Sequence, residues 1–420
     1  MIRSTQKIFG SNNTSSFWNK LKKKPFFSLA PMAEVSDTSL RYMIASIAKP
    51  DVTYNEFVSA DGISVGNRDK LVQTLCYSEP ERPLVAQFFG CKPDNFRVSA
   101  AVARELGYDG VDINMGCPSR KVVSPKQASG AALINSPDLA KEIIAATQEG
   151  AGHLPVSVKT RIGFDEIEID RWLPNILEMK PACLTLHLRT KKELSLVPAH
   201  WEHEVLDRVL EMRDQISPDT LIVGNGDVES IQDGLLKHQE FGVDGIMVGR
   251  AVYGNPWFFD PMFVPEYIPG PLDPTPMQLL LLDQKECAAN GGPPVSFKEI
   301  SVEERFRVFL QHAIINEQIY TYHYKPMIKM NIHFSAYFSP LANLQHTASL
   351  KKALAACTTS DEVAIVVNNF LISRNRQPLD YDQIKRDTLY QASPLFLKSC
   401  PDLHNIKPAS NSPLTTTMHI

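Results

Sequence analysis

Residues 111–119 read VDINMGCPS, a strand-prone run that ends with Cys117 between Gly116 and Pro118. Cysteine is the most reactive of the common side chains: the thiol gives up a proton and the thiolate attacks electrophilic carbon. A cysteine on a strand-end loop is poorly explained as core filling. Other chemistry-bearing residues stand at the ends of similar runs. Asn114 precedes the cysteine; Lys159 and Arg161 close VSVKTRI (156–162); His187 and Arg189 close CLTLHLR (183–189). GNGD (224–227) contributes Asn225, Gly226 and Asp227, and VGR (248–250) contributes Gly249 and Arg250. Earlier runs end in Ala30, Pro31, Met32 and Ala33, in Asn55 and Glu56, and around Gln87. A polar residue at one strand end is chance, whereas one at the end of every run describes the rim of a site.

Two of these ends are rich in glycine. Glycine lets a ligand approach the backbone closely, and a helix starting just beyond would aim free N–H groups at an anion. GNGD and VGR therefore read as a phosphate site, with Arg250 adding charge. The remainder of such a ligand would lie over Lys159, His187 and Gln87. A lysine there stabilises negative charge in a dry site, and a glutamine can both donate to and accept from an amide-like ring edge.

The elements that position these residues follow from the pattern. Eight short apolar runs occur at 26–32, 52–60, 83–90, 110–116, 156–162, 183–189, 221–227 and 245–250. Between them lie amphipathic stretches such as 94–106, 136–150 and 228–242, the last two opening near Ser or Asp and closing on Gly, as capped helices do. Strands alternating with helices imply parallel pairing with right-handed crossovers. Eight units in one stretch predict an α/β fold, a closed (β/α)8 barrel, whose chemistry lies at the C-terminal strand ends and whose phosphate site lies after the last two strands. The open doubly wound alternative would carry a GxGxxG turn after its first strand, and LAPMAEVSD has none.

Beyond residue 265 the texture changes. Residues 266–299 read as a proline-rich connection, and 300–375 as a smaller all-helical region that opens with a capping box, Ser301 and Glu304. Residues 376–420, rich in Pro, Ser and Thr at their end, read as a flexible tail, and residues 1–24 as a lead-in.

The whole-chain composition narrows the classes. The 420 residues are 43% hydrophobic and 21% charged with a net charge of -4, which gives no general field for nucleic acid, so an RNA partner would need a local basic patch. No apolar run approaches the ~20 residues of a membrane span. The seven cysteines are scattered without CxxC spacing, which argues against a disulfide framework or a metal site and for a reducing compartment. Cys76, Cys91 and Cys183 read as structural. The reading is a cytoplasmic monomer. Residues 1–33 lack acids and carry Arg3, Lys7, Lys20 and Lys22–Lys24, so a mitochondrial leader is the alternative.

The stretches LAPMAEVSDTSLR, PLVAQFFG, GVDINMGCPS, VSVKTRIG, LHLRT, VGNGDV and DGIMVGRAVYGNPWFF together resemble the tRNA-dihydrouridine synthase family across residues 25–375. The resemblance implies an FMN-binding barrel over 25–265 and a helical region over 300–375 that helps to cradle tRNA. It implies NADPH as reductant of the flavin, and reduction of the C5–C6 bond of selected uridines. It implies FMN contacts from Pro31, Met32, Ala33, Gln87, Lys159, His187, Asn225, Gly226, Asp227, Gly249 and Arg250, and substrate contacts from Asn114, Arg161 and Arg189. Cys117 is similar to the family's proton donor. A thiol with a pKa of ~8.5 is protonated at neutral pH yet releases its proton more readily than a hydroxyl. A covalent role at C6 is the rival chemistry, and the acid role needs no adduct.

Two departures fall beside the substrate mouth. Leu188 stands where many relatives have glycine, and KKELSLVPAHW (191–201) stands where relatives often read QxYxGxADW. The resemblance therefore leaves the target uridine open. Local basic residues are Lys121, Lys126, Lys191 and Lys192 near the mouth and Lys325 and Lys329 in the helical region. The stretch 320–334 mixes basic and aromatic residues and reads equally as an RNA surface or as packed helix. Two other functions fit an FMN barrel: an oxidoreductase acting on a small molecule, and a non-catalytic tRNA-binding relative. The helical region weighs against the first, and the intact Cys117, Lys159 and His187 weigh against the second.

Overall fold

A computed structural model describes residues 16–21, 25–65, 71, 74–260, 300–320, 326–338 and 347–396. The proline-rich connection 266–299 and most of the lead-in lie outside the described residues, as do Lys325, Cys287 and Cys400.

Eight parallel strands close into a barrel: β1 (Phe26–Leu29), β2 (Val52–Tyr54), β4 (Leu84–Phe89), β5 (Gly110–Met115), β6 (Val156–Arg161), β7 (Cys183–His187), β8 (Leu221–Asn225) and β9 (Gly245–Val248). Closure comes from β2, which pairs with both β1 and β4, and from β9, which pairs with both β8 and β1. Each of the eight apolar runs holds a strand. The second run also supplies the two-residue β3 (Val58–Ser59), which extends the rim beside β4.

Helices return the chain between strands, including Pro93–Glu105, Pro137–Ala151, Ile169–Leu177, His203–Ile216 and Ile231–Phe241. The last of these shows the start and stop signals in atomic form. Ser230 accepts from the Asp233 N–H at its start, and Gly242 ends it in the left-handed region (φ 68°).

Strand alternation sorts the side chains. One parity faces the helices and builds the main core, with Val111, Ile113 and Met115 on β5 and Leu184 and Leu186 on β7. The other parity fills the barrel, apolar at the bottom and polar at the top. Phe26, Tyr54, Val85, Cys183 and Leu221 pack there against Trp18 and Leu21 of the short helix Phe17–Leu21, which closes the lower end. Two to four residues further along, toward the C-terminal strand ends, the same parity reaches Gln87, Asn114, Lys159, His187 and Asn225. Register then aligns them: Asn114 with Lys159, Arg161 with His187, and His187 with Asn225.

The C-terminal region contains only helices and turns among its described residues. Helix Val302–Ile319 is capped by Ser301, whose hydroxyl accepts from the Glu304 N–H. Its Phe306, Phe309 and Ala313 build a second core with Phe334, Tyr337 and Val363, and Trp257, Tyr42 and Met43 of the barrel join it. One expectation is corrected. Residues Tyr381–Phe396 form a helix whose Ala392 enters this core, so the flexible reading from 376 overlooked an amphipathic helix whose partner face is far away in sequence. Of the described residues in 320–334, Tyr320, Met327, Met330, His333 and Phe334 are buried, which favours packing for these side chains, while residues 321–325 lie outside the described residues.

Candidate active site

Residues from β1, β6, β7, β8 and β9 line one cavity of about 320 Å³ at the C-terminal mouth of the barrel. That size suits a ligand pocket, which runs roughly 300–1,000 Å³. Its wall includes Pro31, Met32, Lys159, His187, Arg189, Asn225, Gly226, Asp227, Gly249 and Arg250. Ala33 and Gln87 are not on that wall. Ala33 is exposed, and Gln87 is fully buried with its amide engaged elsewhere.

The β7–β9 side is ionic. Asp227 bonds Arg189 through one oxygen, and its other oxygen accepts from Arg250 Nη2 at 2.7 Å. The Ala199 N–H also donates to Asp227 at 2.9 Å. Burial works against the Asp227 charge, but these donors hold its carboxyl below the usual range. Gly226 sits at φ 133°, where an added Cβ would lie 2.7 Å from Ala199 Cβ and 3.4 Å from Arg189 Nη1, so only glycine leaves the floor open. Arg189 is buried, its Nε donating to the Val197 carbonyl at 2.7 Å and its Nη1 facing His187 Nε2 at 3.2 Å. Arginine has no lone pair to offer, so His187 Nε2 is the acceptor and Nδ1 carries the proton. Burial and the cations Lys159, Arg161, Arg189 and Arg250 push His187 far below its ordinary value, so the ring is neutral.

Lys159 joins the two sides. Its Nζ donates to Asn225 Oδ1 at 2.9 Å, while Asn225 Nδ2 donates to the Met247 carbonyl at 2.8 Å, which fixes the amide orientation. Burial, reinforced by Arg161, pulls Lys159 down to about 7.

The β4–β6 side is a chain of hydrogen bonds that starts at Asp112 and ends at the cysteine. Asp112 accepts from Ser157 Oγ at 2.6 Å and from Gln87 Nε2 at 2.7 Å. Gln87 Oε1 accepts from Asn114 Nδ2 at 2.9 Å. Asn114 Oδ1 then accepts from the N–H groups of Gly116 at 3.1 Å and Cys117 at 2.9 Å, a side-chain turn that holds the loop. Burial raises Asp112 to about 6. From above, Gly130 (φ 59°) packs on Cys117, where an added Cβ would meet the Cys117 carbonyl at 2.8 Å.

Arg161 is buried and spent on carbonyls: Nε donates to Gly116 at 2.7 Å, and Nη1 to Thr190 at 2.9 Å and Leu194 at 3.0 Å. Burial lowers it to about 10, so it stays charged at neutral pH. The Cys117 thiol is half-buried and burial raises its pKa, while a backbone N–H at Ser119 and the charges of Arg161 and Lys159 pull the other way. The group is a neutral thiol whose thiolate has cations nearby.

The strand ends expected to hold a phosphate differ from expectation in one respect. β9 runs into a three-residue 3-10 turn, Arg250–Val252, and the helix after β8 begins only at Ile231 with Ser230 as its cap. A single short turn carries little dipole, so positive charge here comes from the side chains of Arg250, Arg189 and Lys159.

A family model for dihydrouridine synthase matches residues 28–375. The chain belongs to the dihydrouridine synthase family. The probable tRNA-dihydrouridine synthase 2 of Bacillus subtilis (strain 168) is 42% identical over 249 residues, 59% of this chain and 74% of that protein. The probable tRNA-dihydrouridine synthase of Staphylococcus aureus (strain COL) is 42% identical over 247 residues, 58% and 73% of the two chains. Among solved structures, an old yellow enzyme homologue from Zymomonas mobilis superposes with a TM-score of 0.39 at 12% identity, over 66% of this chain and 91% of that one.

Within this dihydrouridine synthase fold, sequence reasoning passed over Asp112 and Ser157. The signal for Asp112 was parity: it stands two residues before Asn114 in an otherwise apolar run and so shares its inward face. Ser157 stands likewise two residues before Lys159. Gly130 is the glycine of the basic loop 120–133, which the sequence suggests could close over a base; its close approach to Cys117 is a tertiary constraint. Among the described residues, no cluster of His, Cys, Asp or Glu is placed to hold a metal, and no helix is long and apolar enough to cross a membrane.

Proposed function

We propose that this protein reduces the C5–C6 bond of uridines in tRNA, with FMN in the barrel mouth, NADPH as reductant and Cys117 as proton donor. Family membership and the names of the relatives support the reaction class. The observation that carries the assignment to Cys117 is its setting: a burial-protonated thiol, tethered by Asn114, in the field of Lys159 on the cavity wall.

The donor set fits FMN. Gly226 and Gly249 leave the floor clear, with Met32 and Ala30 the nearest groups to a Cβ built at Gly249. Arg250 and Arg189 suit a phosphate end, Lys159 suits a ring that gains negative charge, and Asn225 keeps that lysine aimed. FMN held there would supply hydride-transfer chemistry between NADPH and C6 of the uracil.

The chain's own residues complete the reaction. Hydride addition at C6 leaves negative charge at C5, and the Cys117 S–H bond breaks to give C5 its proton. The resulting thiolate is stabilised by Arg161 and Lys159 until it regains a proton from solvent. His187, neutral with its proton on Nδ1, acts as a hydrogen-bond donor and does not compete as an acid. Asn114 keeps its substrate contact in this reading, whereas Ala33 lies off the cavity wall and buried Gln87, its amide held between Asp112 and Asn114, acts by positioning Asn114. Exposed Lys121, Lys126 and Lys192 offer local charge for phosphates.

Stopped-flow absorbance of the flavin in Cys117→Ala tests the assignment. NADPH should reduce the flavin at the wild-type rate. Reoxidation by unmodified tRNA should slow roughly 10²–10⁴-fold, the usual contribution of a positioned acid. Unchanged reoxidation removes the thiol from the reaction, and a wild-type protein that leaves no dihydrouridine in tRNA ends the functional reading.

A further inference from the structure

The atypical stretch 191–201 places apolar side chains in solvent at the edge of the cavity. Leu196 is 83% exposed, Leu194 41% and Val197 37%. The tip is nevertheless anchored. The Lys191 and Lys192 N–H groups donate to the Gly163 and Phe164 carbonyls at 3.0 and 2.9 Å. The Leu194 and Val197 carbonyls accept from Arg161 and Arg189, the two buried arginines of the site. Glu193 and His200 pair across its base at 2.9 Å. Leu194 is held at φ 57°, a conformation a branched residue adopts only under constraint. Ser195, between the two leucines, lines the cavity itself. A rigid apolar point therefore stands on the rim, with Lys191 and Lys192 at its foot.

Its occupant follows from the reaction proposed above, on which this inference rests. In a folded RNA the C5–C6 bond of a uracil is shielded by its stacked neighbours, so the base must leave the stack to meet a ring in the barrel. That exposes the faces of the adjacent bases, which apolar side chains cover well when they enter the gap. Lysines at the foot of the tip match the phosphates on either side.

We propose that Leu194, Leu196 and Val197 form a wedge that fills the gap left in the RNA stack when the target uridine turns into the cavity, with Leu196 at its point. The wedge selects RNA whose uridine neighbours can open at this spacing, so the atypical loop acts as a specificity element.

The test uses full-length, FMN-loaded protein and an RNA hairpin whose loop carries uridine flanked by 2-aminopurine, which brightens on unstacking. Wild type should brighten the probe on binding. Leu196→Ser should lose most of that signal at saturating protein and bind roughly 5–100-fold more weakly, the range of one base-stacking contact. Leu196→Met should restore both. Equal brightening by wild type and Leu196→Ser overturns the wedge, as does brightening by neither. Flavin absorbance and thermal melting of Leu196→Ser should match wild type; loss of either assigns Leu196 a structural role and overturns the proposal. If brightening depends on Leu196 although no dihydrouridine forms in tRNA, the wedge stands and the reaction reading fails. If dihydrouridine forms without Leu196-dependent brightening, the reaction reading stands and the wedge fails.

Discussion

On the β7–β9 side of the barrel mouth, Arg189, Asp227 and Arg250 meet as ions around an open cavity, with glycines for a floor. On the β4–β6 side, Ser157, Asp112, Gln87 and Asn114 pass hydrogen bonds along a buried line that ends at the backbone of Cys117. The two sides share a barrel and a strand geometry, yet under the proposed function they solve opposite problems. An anion site needs fixed positive charge partly open to water. A proton donor that must stay neutral until it acts needs burial and no tight ion pair. Lys159 lies between them, feels Cys117 and Arg161, and reaches Asn225 on the other side. If that division is real, substitutions on one side should leave the function of the other untouched.

After Cys117→Ala, the largest effect is expected at Gly226. Gly226→Val forces a branched residue to φ 133° against Ala199 and Arg189. Strain and overpacking together cost about 2–4 kcal/mol, so FMN affinity should fall roughly 30- to 1,000-fold in a fluorescence titration. Near-wild-type affinity would take Gly226 out of the binding floor.

Asn114→Ala attacks the other side. It removes the acceptor of two loop N–H groups and the donor to Gln87. At about 1 kcal/mol per bond, reoxidation of reduced flavin by tRNA should slow roughly 10- to 100-fold. FMN affinity should hold, and a parallel loss of affinity would show that the two sides are one unit.

Arg250→Ala should weaken FMN binding more modestly. Its side chain is 60% exposed and already paired with Asp227, so roughly a three- to tenfold loss is expected at low salt. The loss should shrink as salt rises. A salt-independent loss would mean that Arg250 acts through packing.

The smallest effect concerns Lys159, held at about 7 in the fold. Between pH 7 and the ordinary lysine value the unfolded chain binds the extra proton, so this group makes cofactor-free stability rise with pH across that window. Lys159→Met should lack that rise and melt a few degrees higher at pH 7, while binding FMN more weakly. A variant that melts lower than wild type at pH 7 would show that the Asn225 bond outweighs the burial of the charge.

Much of the site was legible from the chain because a strand repeats every two residues. Once 156–162 is a strand with Val158 outward, Lys159 must point inward and Arg161 with it. The bond partners were not legible. Arg161 read as a substrate contact, yet the loop 190–194 folds back so that the guanidinium is taken up by three carbonyls. Gln87 read as a wall residue, yet the closing of the barrel sets Asp112 and Asn114 beside it and engages both ends of its amide. The helix Tyr381–Phe396 went unrecognised because its stability comes from helix Val302–Ile319, some 80 positions earlier.

The sequence by itself therefore determined the eight strands, the parity that aims Asn114, Lys159, His187 and Asn225 into the mouth, and the cysteine on the strand-end loop. These are local consequences of backbone period, turn residues and side-chain chemistry. Tertiary structure alone decided which polar group satisfies which, that the positive end relies on arginines where helix starts were expected, and that 191–201 stands as an anchored apolar point. Those outcomes depend on ring closure and on contacts between residues distant in the chain. Burial also decided which groups stay neutral, because the cost of a charge depends on everything packed around it.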